Sequence, residues 1–154
     1  TVSEIESIVC SPRDMIVHLA GFNVGDARIG DVSIRRAKST ERDVLIHFVR
    51  TEFGDRWLDS VKNGFGQDVI PIFVAVDDGF QGFACFDVVR SKRGVFGPMG
   101  TRFDCREKGV GRALLHRCLS EMQHIGYDYA VINNAGPIEF YEKACGAVVI
   151  PLFP

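Results

Sequence analysis

The feature that most constrains this chain lies between residues 105 and 126. Gly109 and Gly111 stand one residue apart among basic neighbours, in the run Cys105-Arg106-Glu107-Lys108-Gly109-Val110-Gly111-Arg112. Val110, Leu114, Leu115, Cys118, Leu119, Met122 and Ile125 then recur at helical spacing, with Arg112, His116, Arg117, Glu121 and Gln123 largely on the other face. Gly126 is placed to close this helix as a C′ glycine. An apolar stripe of that length has to be buried against a second layer. The glycines let backbone approach a ligand, and a helix N-terminus offers unpaired N–H groups and a favourable dipole to an anion.

The flanking sequence predicts the layer that the helix covers. Val32-Ser33-Ile34-Arg35 alternates as a half-buried strand does, and Ile70–Val76 reads as a buried strand. Asp77-Asp78-Gly79 is a hairpin signal leading into a strand over Phe80–Val89. Ser91-Lys92-Arg93-Gly94 turns the chain into a further strand, Val95–Phe103, in which Gly97, Pro98 and Gly100 mark a bulge or a close backbone approach. Asp128–Asn133 and Ala147–Phe153 read as later strands.

Three more helices separate these strands. One carries Val44, Leu45, Phe48, Val49 and Phe53 behind N-cap candidates Ser39 and Thr40 and stops at Gly54. A short one spans roughly Asp55 to Lys62, and another starts at Pro137 and stops at Gly146. The order predicts one α/β (α+β) domain over residues 32–154 with a mixed sheet. Residues 1–31 stand outside it as an extension; Asp14–Ala20 is a candidate extra strand, followed by Gly21, Gly25 and Gly30.

Composition narrows the function classes. A net charge of −2 gives no electrostatic footprint for nucleic acid. No apolar run approaches the roughly 20 residues that span a bilayer. Cys10, Cys85, Cys105, Cys118 and Cys145 are odd in number and form no Cys-x-x-Cys pair, and the four histidines lack ligand spacing. That pattern points to reduced thiols in a cytoplasmic protein, without metal dependence. The chain starts at Thr1 without a methionine, as a processed form or a piece of a longer protein would.

Two familiar phosphate loops are excluded. A nucleoside-triphosphate loop needs Gly-Lys-Ser or Gly-Lys-Thr, which the 105–114 run lacks. A dinucleotide loop needs a third glycine where Leu114 stands, and Asp128 precedes its strand rather than ending it. A tight turn with solvated charges stays open on the loop alone.

The loop has a companion. Arg106-x-x-Gly109-x-Gly111 resembles the Arg/Gln-x-x-Gly-x-Gly/Ala signature of the GNAT superfamily of N-acetyltransferases. Downstream, Asn134-Ala135-Gly136-Pro137-Ile138-Glu139-Phe140-Tyr141-Glu142-Lys143-Ala144-Cys145-Gly146-Ala147 resembles the closing motif of that superfamily. Both motifs stand in the family's order and spacing, and the resemblance covers about residues 32–153. Ala147 departs from the family's usual aromatic at that position.

The resemblance implies a mostly antiparallel sheet, flanked by helices, with central strands splayed around acetyl-CoA as cosubstrate. It implies that Arg106, Lys108 and the amides of Gly109, Val110, Gly111, Arg112 and Ala113 meet the pyrophosphate. Backbone near Met99 and Thr101 would bond the pantetheine arm, with a Met99 N–H on the thioester oxygen. Asn134 would contact the cofactor, and Tyr141 would be the general acid for the leaving thiolate. The base is not readable: Asp87, Glu52 and Asp55 are candidates, and a water chain could serve. Glu52, Phe53, Asp55 and Trp57, with Asp59 and Phe65, are candidates for the acceptor pocket. Cys145 has no evident histidine partner for covalent catalysis. The partner implied is a small-molecule amine, without nucleic acid or membrane, for a monomer or homodimer. The competing readings are a catalytically idle CoA-binding module and transfer of an acyl chain longer than acetyl.

Overall fold

The computed structural model describes residues 13–22, 29–89 and 92–151. Its strands are β1 (Met15–His18), β2 (Ser33–Arg36), β3 (Ile72–Val76), β4 (Phe80–Phe86), β5 (Val95–Thr101), β6 (Tyr129–Ile132) and β7 (Val148–Val149). They form one sheet in the order β2-β3-β4-β5-β6-β1-β7. Every pairing is antiparallel except β5 with β6. The α-helices among the described residues are α1 (Arg42–Phe53), α2 (Leu58–Phe65), α3 (Val110–Ile125) and α4 (Ile138–Cys145), with 3₁₀ turns over Ser39–Glu41 and Phe103–Lys108. This is a mixed α/β fold with a mostly antiparallel sheet, as the sequence predicts. Cys10, Gly25, Ser91 and the end of the expected last strand lie outside the described residues.

The sheet is buried on both faces, which is why β3 and β4 read as continuous apolar runs. Strand alternation sends Ile72, Val74, Phe83 and Cys85 into a core with Leu45, Val49, Leu58 and Val61 of α1 and α2. Phe73, Ala75, Ala84 and Phe86 face the opposite core, where Leu114, Leu115, Cys118, Leu119 and Met122 of α3 cover them. At about 25 cal/mol per Å² of apolar area, these two layers are the main source of stability.

Three local expectations are corrected. Ser39 and Thr40 do not cap α1. Glu41 instead accepts the Lys38 N–H (2.8 Å) and pairs with Arg35 (2.8 Å), and that pairing pulls its carboxyl down to about 2. α2 starts at Leu58, three residues later than Asp55, because Arg56 and Trp57 form a turn in which the Leu58 N–H donates to the Asp55 carbonyl. His116, expected on the polar face of α3, is buried; its Nε2 meets the Ala144 carbonyl at 2.6 Å and ties α3 to α4.

The segment ahead of residue 32, expected to stand outside the domain, supplies an interior strand. β1 pairs with β6 from Met15↔Ile132 to His18↔Tyr129 and with β7 at Met15↔Val149 and Ile16↔Val148. Met15 and Val17 are fully buried in the α3 core.

Candidate functional site

The site follows from how β5 and β6 part. Their parallel pairing covers only Val95↔Val131 and Phe96↔Ile132. On the other side, the β4–β5 register gains a residue on β5 between Phe86↔Phe96 and Ala84↔Met99. This is the bulge that Gly97 and Pro98 predict, and Gly97 occupies φ +111°. Beyond it β5 follows β4 away from β6, and a cleft of about 830 Å³ opens.

Ladder parity determines which backbone groups face the cleft. Arg102 donates its N–H to the Gln81 carbonyl at 2.8 Å, so the Gln81–Arg102 pair is a hydrogen-bonded one. In the same register the Gly82–Thr101 and Ala84–Met99 pairs are non-hydrogen-bonded. The N–H and C=O groups of Met99 and Thr101 therefore point away from β4, toward the gap that β6 has left. Arg106 Nε reaches the Thr101 carbonyl at 3.4 Å.

The closed end of the splay is held by Asp87. Its Oδ1 accepts the Gly94 N–H (2.7 Å) and its Oδ2 the Tyr127 hydroxyl (2.5 Å). Burial, then the bond to Asp87, raises the Tyr127 phenol above its ordinary value. Asp87 does not line the cleft, so the geometry does not support the candidate base there.

The glycine loop sits at the open end. Gly109 adopts φ +83° and turns the 3₁₀ segment into α3. The first helical bond runs from Ala113 N–H to the Gly109 carbonyl (3.1 Å). The Ala113 amide, expected to meet an anion, is thus occupied within the helix. The amides of Gly109, Val110, Gly111 and Arg112 precede that bond and have no intrahelical partner, and no side chain caps the helix at Gly109. A Cβ on Gly111 would stand 3.3 Å from Thr101 Oγ1, so the helix head abuts the end of β5 as a side-chain-free cradle. Lys108 and Arg112 are exposed beside it, outside the cleft lining, whereas Arg106 and Gly111 line the cleft.

The third wall is α4 and the turn before it. Asn134, at φ +47°, lines the cleft where β6 ends. Tyr141 is only 8% exposed, with its ring edge-on to Phe140 (5.0 Å) and Phe96 (6.5 Å). Burial pushes its phenol up to about 12, so it stays protonated through the neutral range. Cys145 donates its thiol to the Tyr141 carbonyl at 3.2 Å and is pushed up to about 11 by burial, which suits no nucleophile.

Opposite lies an aromatic wall. Phe53 contacts Trp57 (5.3 Å) and Phe83 (5.8 Å), and a Cβ on Gly100 would come within 2.6 Å of the Phe53 ring. Glu52 and Arg56 rim this wall, with the Arg56 guanidinium 4.5 Å over Trp57. Of the other acceptor candidates, Asp55 is exposed in a pair with Arg50 (3.3 Å), Asp59 is exposed outside the cleft, and Phe65 packs into the α1–α2 core. Arg13, Arg56 and the buried Asp14 carry no sequence pattern that marks them, and only the fold reveals their positions. Among the described residues no group of three or more His, Cys, Asp or Glu side chains could hold a metal. No described helix is long and apolar enough to cross a membrane.

This arrangement defines a class: a mixed sheet splayed after a β-bulge, with a glycine-opened helix head at the gap. The sequence model described as the acetyltransferase (GNAT) family matches residues 39–147, and the chain belongs to that family. No curated protein matches it.

Solved structures share the fold. One is the GCN5-related glucosamine N-acetyltransferase region of a fungal multi-domain GH3 beta-N-acetylglucosaminidase (17% identity, TM-score 0.71, 86% of this chain and 19% of that one). Another is a GCN5-related N-acetyltransferase from Sphaerobacter thermophilus (17%, 0.71, 89% and 47%). A third is AAC(6')-Iy in complex with the bisubstrate analogue CoA-S-monomethyl-acetylneamine (13%, 0.60, 79% and 95%). The chain thus spans about a fifth and about half of the first two.

Proposed function

We propose that this chain, as one domain from Arg13 onward, is an acetyl-CoA-dependent N-acetyltransferase acting on the amine of a small molecule by direct attack. One observation carries the reading. A single cleft gathers the amide-lined helix head at Gly111, the open β5 edge at Met99 and Thr101, and the Tyr141 phenol.

Acetyl-CoA, when bound, supplies an activated thioester carbonyl. The amides of Gly109, Val110, Gly111 and Arg112, with Arg106, Lys108 and Arg112 as countercharges, hold the pyrophosphate. The Met99 N–H bonds the carbonyl oxygen as negative charge develops on it, and Thr101 and Asn134 bond the pantetheine arm. The amine lone pair forms the C–N bond, the C–S bond breaks, and Tyr141 gives its proton to the sulfur. The proton on the attacking nitrogen leaves to Glu52, the carboxylate on the cleft rim, or to water. Phe53 and Trp57 floor the acceptor site. The enzyme is read as cytoplasmic.

One fold relative is named as a glucosamine N-acetyltransferase region and another is held with CoA-S-monomethyl-acetylneamine, which makes amino sugars the first acceptors to try. The test is thiol release from acetyl-CoA over a panel of amino sugars, amino acids and polyamines. Release that depends on an amine and is lost in Tyr141→Phe supports the reading. Binding of acetyl-CoA with no release over the panel favours the idle module instead, and faster release from a longer acyl-CoA corrects the donor.

A further inference from the structure

We propose that Arg13 and Asp14 are positioning residues for this reaction: they clamp the turn over residues 134–137 and thereby fix where Asn134 and Tyr141 stand at the cleft. The inference rests on the acetyltransferase reading above. It concerns a segment that the family match, which begins at residue 39, does not include.

The contacts are dense and converge on one turn. The Asp14 side chain is fully buried, and its Oδ1 accepts the Asn134 N–H at 2.7 Å. Arg13 Nε donates to the Ala135 carbonyl at 2.8 Å, and its Nη2 donates to the Gly136 carbonyl. The backbones add Ala135 N–H to the Arg13 carbonyl (3.0 Å) and Ile150 N–H to the Asp14 carbonyl (2.9 Å). Asn134 sits at φ +47°, the left-handed conformation that asparagine adopts more readily than other non-glycine residues and that a tight turn uses.

The turn leads straight into the catalytic helix. α4 starts at Ile138 behind Pro137 with no side-chain cap of its own, so its entry is fixed from outside. Tyr141 lies one turn further on. Its far end is held by the His116–Ala144 bond, whose donor is the Nε2–H tautomer. α4 has eight residues, too few to hold a direction alone. The clamp thus sets the aim of the Tyr141 hydroxyl, and a misplacement of about 1 Å in such a group costs on the order of 100-fold in rate.

The test uses the full chain carrying Arg13→Ala, Arg13→Lys, Asp14→Ala and Asp14→Asn, each alone and in a Tyr141→Phe background. Arg13→Ala and Asp14→Ala are expected to lower kcat about tenfold or more. The KM for the amine should stay within roughly twofold for the variants of the buried Asp14; Arg13 itself lines the cleft, so its variants are read on kcat and on the coupling to Tyr141. Arg13→Lys and Asp14→Asn, which keep a donor and an acceptor, should recover part of the loss. In the Tyr141→Phe background the Ala variants should have little further effect on kcat, since the proton donor they aim is gone, and any remaining effect should fall on the KM for acetyl-CoA through Asn134.

Alanine variants that melt earlier but turn over at the wild-type rate overturn the inference, as does full additivity with Tyr141→Phe. Should Asp14→Ala fail to fold, the Arg13 variants decide, since that side chain is exposed. A wild-type chain that transfers no acetyl group overturns the underlying reading, whereas an active wild type with normal variants overturns only the clamp.

Discussion

The two walls of the cleft are built on different principles. On the side of α3 and β5 the proposed contacts are mainly backbone, with Arg106, Lys108 and Arg112 adding charge: four amides at a helix head, and the N–H and C=O groups of Met99 and Thr101 exposed by ladder parity. On the side of α1 and α2 they are side chains: Phe53, Trp57, Glu52 and Arg56, the last two exposed. A backbone site demands glycine at fixed spacing and a break in the sheet, and it tolerates little change. A side-chain wall can be rewritten one residue at a time without moving the fold. The first wall suits a ligand that is constant, and the second a ligand that varies.

Substitutions can break this contrast, and the largest effect is expected on the backbone wall. Gly111→Glu puts a carboxylate where an anion is proposed to lie, against Thr101 Oγ1. Affinity for CoA should fall on the order of 100-fold, about 3 kcal/mol, as read by calorimetry. Unchanged affinity would remove the loop from the site. Tyr141→Phe should cut kcat by about 100-fold while leaving CoA affinity nearly intact, since it deletes only the proton donor.

Gly100→Ala crosses between the walls. Its methyl group would collide with the Phe53 ring, and displacing that ring should cost about 1–3 kcal/mol in stability and raise the KM for the amine. Equal damage to CoA affinity would show that the walls are not separable. Glu52→Gln should raise the amine KM a few-fold for a cationic acceptor, as an exposed charge contact does, lower kcat where this carboxylate rather than water takes the proton, and leave CoA affinity unchanged.

A last effect concerns pH and lies outside the neutral range. Burial raises the Tyr141 phenol to about 12 in the fold, against about 10 for an ordinary tyrosine. A group raised in this way stabilises the fold fully below its unfolded value and loses that contribution as pH climbs toward the folded one. Stability of the wild type should therefore start to fall above roughly pH 10. Tyr141→Phe should lack that component of the fall, as urea titrations at stepped pH would reveal.

The same contrast explains what the sequence discloses. Gly109, Gly111 and the stripe from Val110 to Met122 predict a helix head that the fold reproduces, and Gly97 with Pro98 predicts the bulge. In each, a backbone requirement restricts residue type. Asp87 misleads because a carboxylate at a strand end looks the same whether it faces a ligand or, as here, bonds Gly94 and Tyr127 at the closed end of the splay. His116 misleads because helical periodicity assigns it to a face but cannot foresee the Ala144 carbonyl waiting there. Arg13 and Asp14 are illegible for a further reason. Their partners lie more than a hundred residues away, across a strand order that inserts β1 between β6 and β7. No local pattern encodes a contact of that kind.

The helix head and the splayed strands are proposed as a cradle for coenzyme A. Calorimetric titration of the wild-type chain with acetyl-CoA tests it most directly. Saturable one-to-one binding is expected, with a dissociation constant in the micromolar range, weakened by added salt because the pyrophosphate is held partly by charge. No detectable binding at millimolar acetyl-CoA would contradict it.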